Sequence, residues 1–147
     1  KGFAKPAPEI ETPLFATRQA FRKHFQHIVD SYGDVISVSL VDQDGPEMVL
    51  HRAFERHTRL DLVSFARPPR LVAFDFHEHC SGKEYERGLA SLVSRLKEDI
   101  VAFGVYSNKN LIDSSVQKGV FRVNCVDCLD RTNVVQSAIA REALVLQ

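Results

Sequence analysis

The chain has 147 residues, 44% hydrophobic and 26% charged, an ordinary globular composition of one-domain size. Nineteen basic residues balance 19 acidic ones, so the whole-chain field gives no reason to expect nucleic acid or acidic lipid as a partner, and any membrane contact has to be local. No apolar run approaches a membrane span, the first residues do not read as a signal peptide, and three cysteines do not make a disulfide-stapled secreted scaffold, so a reducing, cytoplasmic setting is expected.

Residues 1–13 hold three of the six prolines and little periodicity, which reads as an extended leading segment before a domain over 14–147. Thr17 is placed to cap a helix running to about Tyr32, with Phe21, Phe25, Ile28, Val29 and Tyr32 on one apolar face and Gly33 at its end. Ile36, Val38 and Leu40 alternate with Ser37 and Ser39, the period of a half-buried strand. Asp44-Gly45-Pro46 turns the chain, and Pro46 stands near the first position of a helix carrying Leu50, Phe54 and His57. Leu71 to Phe76 is almost wholly apolar, as a central strand covered on both faces would be. A long helix follows, with Tyr85, Leu89, Leu92, Val93, Leu96, Ile100 and Phe103 on one side and Lys97, Glu98 and Asp99 solvated. A strand at about 102–106, a polar loop over 108–115 and a strand at Gly119–Asn124 come next. The last helix runs from Thr132 with the stripe Val135, Ile139, Ala143 and Leu146. Helices alternating with strands predict an α/β fold, a mainly parallel sheet flanked by helices.

Between that last strand and helix, Cys125 precedes Arg131 by six positions. This spacing suits a turn whose backbone N–H groups, from Val126 to Asp130, converge on an anion at a helix start while the arginine grips two of its oxygens. A cysteine at the bottom of such a cradle is favoured as thiolate, the nucleophilic form. Cys125 is therefore the candidate nucleophile, attacking phosphorus to give a thiophosphate that water then hydrolyses, with no metal or cofactor required. Arg131 is the phosphate clamp. A leaving alkoxide needs a proton, and Asp127 is preferred over Asp130 as its source, Asp130 being equally suited to cap the helix. Asp75 and His77, at the end of the apolar strand, form a third possibility. Thr132 could bond the thiolate or its own backbone, and Arg122 and Asn124 could brace the loop, Arg122 reading equally as a solvated edge residue. Val126, Cys128 and Leu129 supply loop N–H groups. Lys118 and Lys83 are the basic residues best suited to a headgroup pocket.

The string Arg122-Val123-Asn124-Cys125-Val126-Asp127-Cys128-Leu129-Asp130-Arg131-Thr132-Asn133 resembles the signature of the Sac-domain phosphoinositide phosphatases, nearly continuously. Ala73-Phe74-Asp75-Phe76-His77 resembles the segment that precedes it, as does the stretch from His24 through Tyr32-Gly33 into Ile36 to Asp42. Phe74 to Cys80, taken with Asn124 to Cys128, is similar to the branch known as inositol 4-phosphatases. The resemblance implies removal of a phosphate from an inositol lipid at a cytoplasmic membrane face, with phosphatidylinositol 4-phosphate the foremost substrate. Sac domains are longer and carry an amino-terminal subdomain, so residues 14–147 are expected to be the later part of a catalytic domain that this subdomain would complete.

Other readings compete. The chain could be a catalytically silent phosphoinositide-binding or scaffolding module. Cys125-x-x-Cys128 alone matches a redox dithiol, or with His77, His79 and Cys80 a zinc site, but neither reading uses Arg131 or Thr132. Cys128 could also protect Cys125 by a reversible disulfide under oxidation. No Walker-type loop is present, which argues against a nucleoside triphosphatase.

Overall fold

The computed structural model describes residues 7–10, 13–108 and 114–145. Residues 1–6 and 11–12 of the leading segment, 109–113 of the polar loop, and Leu146 of the last helical stripe lie outside the described residues.

Helix α1 spans Leu14–Tyr32, β1 Asp34–Ser39, α2 Met48–Asp61, β2 Arg70–Ala73, α3 Phe76–His79 and α4 Tyr85–Phe103. They are followed by β3 Ser107–Asn108, β4 Ser114–Ser115, β5 Gly119–Asn124 and α5 Asp130–Val145. Three strands form a parallel sheet in the order β2-β1-β5, and β3 pairs with β4 in a separate antiparallel ladder. The expected α/β class is what the chain adopts.

Gly33 explains how α1 hands over to β1. It sits at φ +83°, a conformation open to glycine, and its N–H caps Val29 O at 2.9 Å. A Cβ there would lie 2.5 Å from Lys118 O, the carbonyl that accepts the Asp34 N–H and starts the β1–β5 ladder.

Strand alternation divides the core. Ile36, Val38 and Leu40 face one side of the sheet, packed with Val72, Phe74, five apolar residues of α4 and the α5 residues Val135, Ala138 and Ile139. Val35 faces the other side with Phe25 of α1 and Phe65, flanked by Phe21 and Phe54.

Several sequence expectations need correcting. Thr17 does not cap α1: the helix begins three residues earlier, and the Thr17 hydroxyl donates back to Leu14 O at 3.0 Å. Tyr32 is 58% exposed, because the apolar face of α1 is covered only through its middle turns. The serine-containing β1 is the central strand, with Ser37 and Ser39 each 1% exposed, because β2 and β5 flank it and α1 and α2 cover its second face. The more apolar β2 lies at the edge of this sheet. No strand forms at 102–106, since α4 continues to Phe103 and Gly104 ends it with its N–H on Ile100 O.

Candidate active site

Parallel strands deliver their carboxyl ends to one edge of a sheet, where α/β proteins gather their chemistry. Here three chain segments meet at that edge. Leu40 N–H donates to Asn124 O at 2.8 Å and Phe74 N–H to Ser39 O at 2.9 Å, so the three strands end level with one another.

The segment after β5 contains Cys125. The chain reverses at Cys128, the one described non-glycine residue with positive φ (+55°), and this reversal turns the Cys128 N–H onto Cys125 Sγ at 3.1 Å. A left-handed cysteine is strained, and such strain persists where the surroundings impose it. The Cys125 thiol meets Asp127 Oδ1 at 3.3 Å, and the same oxygen accepts the Leu129 N–H at 3.2 Å. Burial is the main influence on the thiol and pushes its pKa up, and the Asp127 hydrogen bond adds to this. The Cys128 N–H, the Arg131 charge and the Asp127 N–H pull the other way without prevailing. Cys125 is 7% exposed and belongs to the main core. The sequence reading favours the thiolate, whereas the net influence of these surroundings is toward the protonated thiol. Two N–H groups and the Arg131 charge do not offset burial, so the thiol pKa lies above its ordinary value.

Arg131, on the first turn of α5, carries a group of acceptors that motif spacing did not reveal. Its Nη1 donates to Glu47 Oε2 at 3.1 Å, its Nη2 to Glu47 Oε1 at 3.2 Å, and Nη1 also reaches Leu40 O at 3.2 Å and Asp42 Oδ1 at 3.4 Å. Burial lowers the arginine pKa, but the Glu47 hydrogen bonds and charge outweigh it and the net shift is upward. Burial likewise raises Glu47, and the Arg131 and Asp42 N–H bonds overcome it and hold the carboxyl below its ordinary value. Glu47 closes the single 3-10 turn Gly45–Glu47 that follows β1, with Gly45 at positive φ and Pro46 in its first positions. Acidic residues just beyond a parallel strand's carboxyl end were the only sequence signal for Asp42 and Glu47.

The third segment follows β2. Asp75 is 5% exposed and caps α3 through the Glu78 N–H at 3.0 Å, while its other oxygen takes the Gln43 N–H at 2.8 Å. Both carboxylate oxygens therefore serve to join loops. His77 Nδ1 lies 2.9 Å from Asp42 Oδ1, which links it to Arg131 through that carboxylate.

The remaining candidates divide between this cluster and elsewhere. Arg122 is not a solvated edge residue. Its guanidinium lies over the rings of Phe54 and Phe25, 5.4 and 5.9 Å from their centroids, and donates to Asn124 Oδ1, whose amide donates to Ser39 Oγ at 3.3 Å. Burial lowers the Arg122 pKa. The pair braces the end of β5 from the α1–α2 side. Thr132 is 3% exposed and donates to Leu129 O at 3.2 Å, the backbone-bonded alternative. Asp130 is exposed at the start of α5, favourably placed against the helix dipole, and Val126 and Leu129 are 43% and 61% exposed. Lys118 does not join the site. It precedes β5 and thus lies at the opposite end of the sheet, about 20 Å of extended chain from Cys125. There it lines a cleft of about 700 Å³ with Tyr32, Asp34 and Arg67. Cys80 is packed in the core and His79 lies against Phe74 at 4.9 Å, so the alternative zinc set is not assembled among the described residues.

The comparisons with known proteins agree with one another. The family described as the SacI homology domain matches residues 1–81. Phosphatidylinositide phosphatase SAC2 of Danio rerio is 39% identical over 142 residues, which is 92% of this chain and 12% of that protein. Phosphatidylinositol-3-phosphatase SAC1-A of Danio rerio is 40% identical over 145 residues, 97% of this chain and 24% of that protein. Synaptojanin-2 of Rattus norvegicus is 38% identical over 134 residues, 91% of this chain and 9% of that protein. The chain thus spans about a quarter or less of the length of these relatives.

Proposed function

The chain belongs to the SacI homology domain family, and from that premise we propose that it carries the phosphate-cleaving loop of a phosphoinositide phosphatase. The activity belongs to a longer protein, in which residues 14–147 are part of the catalytic domain and an amino-terminal subdomain completes it. The observation that supports this most directly is the contact of the Cys125 thiol with the Asp127 carboxylate at 3.3 Å, within the loop that ends at Arg131.

That contact accounts for both halves of the chemistry. When a phosphate dianion occupies the loop, the thiol proton passes to Asp127, which makes the sulfur nucleophilic and the carboxyl an acid in one transfer. Cys125 Sγ then attacks phosphorus as the P–O bond to the inositol breaks, and Asp127 protonates the departing oxygen. Water attacks the cysteinyl phosphate, giving its proton to Asp127, and inorganic phosphate leaves. Arg131 neutralises charge on the transferred group throughout.

The substrate is an inositol lipid at a cytoplasmic membrane surface. No described helix is long and apolar enough to cross a membrane. Phosphatidylinositol 4-phosphate is the first choice, on the Phe74 to Cys80 resemblance, and phosphatidylinositol 3-phosphate, which the SAC1 relatives are named for, is the comparison. The test is phosphate release by the intact protein from vesicles carrying each lipid. Cys125→Ser should abolish release and Arg131→Ala should weaken both binding and turnover. Undiminished release by either variant overturns its assignment. The raised thiol pKa equally suits a silent binding module, which would retain the vesicles and release no phosphate.

A further inference from the structure

Arginine holds five N–H groups in one plane, and which edge faces a ligand depends on what grips the others. Glu47 takes the end of the Arg131 guanidinium, one oxygen on each Nη. Leu40 O and Asp42 take the outer side of Nη1. Among the described residues none accepts from Nε or from the N–H of Nη2 on its side. That lateral Nε–Nη2 edge is the second bidentate fork of the group.

We propose that Glu47 is the positioning residue for Arg131, holding its guanidinium so that the Nε–Nη2 edge is presented to the phosphate. This inference rests on the phosphatase reading of the loop and deepens it. The carboxylate is itself anchored, since its Oε2 accepts the Asp42 N–H at 3.1 Å, and Asp42 follows the central strand. The side chains of Arg131 and Glu47 are 12% and 19% exposed, so water competes weakly for the fork. An arginine free at its head would have to be ordered by each arriving substrate, at a cost in side-chain entropy that binding would bear. Glu47 meets that cost in advance. Its negative charge lies behind the guanidinium, farther from the phosphate than the N–H groups it orients.

A competing role is that Glu47 occupies the clamp and must be displaced. The two roles have opposite signs on removal of the carboxylate. The probe is tungstate, an oxyanion of phosphate shape, measured by calorimetry on the intact protein, alongside turnover of 4-nitrophenyl phosphate. Glu47→Ala should weaken tungstate binding about 10- to 100-fold, the effect of losing a charge-assisted hydrogen-bond pair, and lower kcat/KM in parallel. Glu47→Gln, which keeps one carbonyl acceptor, should recover part of the loss. In an Arg131→Ala background, Glu47→Ala should cost nothing further, an outcome that a merely structural role for Glu47 would not give.

Equal or tighter tungstate binding by Glu47→Ala, or an additive loss in the double variant, overturns the inference and leaves the phosphatase reading standing. Failure of the wild-type protein to bind tungstate overturns the phosphate site itself, and the inference with it.

Discussion

Gly88 is the fourth residue of α4, with the end of α3 pressed against it, so Gly88→Ala sets two effects of known sign in opposition. A Cβ at this position would stand 2.0 Å from His79 O and 2.9 Å from Cys80 Sγ. Helix propensity favours alanine by about 1 kcal/mol, since glycine loses more backbone freedom on folding. The contact acts the other way. Backbone meets backbone, no flexible side-chain tip can give, and α3 would have to move off α4 by more than an ångström to restore van der Waals distance. Overpacking of this kind costs about 1–3 kcal/mol. The upper end applies here, because the shift would also loosen Phe76 and Cys80, each 7% exposed in the main core. The net expectation is a destabilisation of about 2 kcal/mol. Urea unfolding followed by helical circular dichroism reads it directly. With an ordinary dependence on denaturant, the midpoint should fall by about 1 M at unchanged slope. A midpoint that stays level or rises would refute the reasoning, since propensity would then have prevailed over the contact.

Three further expectations follow from the site and the sheet. Asp127→Asn should lose about 100-fold or more in turnover of inositol lipid while keeping much of its rate on an aryl phosphate, whose leaving group needs no proton; equal losses would remove Asp127 from the acid role. Burial and the Asp127 contact raise the Cys125 thiol, so alkylation by iodoacetamide should climb through alkaline pH, and Asp127→Asn should move that climb to lower pH. A rate already level below neutrality would contradict both. Ser37 Oγ is buried without a partner among the described residues, so Ser37→Ala should stabilise the protein by about 1 kcal/mol in the same unfolding assay; a loss of that size would reveal a hydrogen bond for the hydroxyl.

Local chemistry was legible where short-range rules govern. The apolar period from Tyr85 to Phe103 foretold α4, though a strand was expected to begin at about Ala102, and the run Gly119 to Asn124 foretold β5 to both ends. The Cys125–Arg131 spacing placed a loop between strand and helix, and the turn at Asp44-Gly45-Pro46 preceded a helix as expected. Strand order was not legible. Ser37 and Ser39 resemble a half-solvated face, and they are buried only because β2 and β5 both pair with that strand. Lys118 looked close to the signature in sequence, yet a strand between them carries it to the far end of the sheet.

By itself, then, the order of residues indicated the long helices and the strands β1 and β5, and that a cysteine and an arginine lie close together between strand and helix, because both depend on neighbours a few positions away. Only the tertiary structure decided which carboxylates grip that arginine and how burial acts on the sulfur. The carboxylates that grip Arg131 come from Asp42 and Glu47, 89 and 84 residues earlier in the chain. The burial that governs Cys125 comes from the core packed around it. Hydrogen bonding and desolvation act through space over a few ångströms, and no rule of spacing along the chain records that proximity.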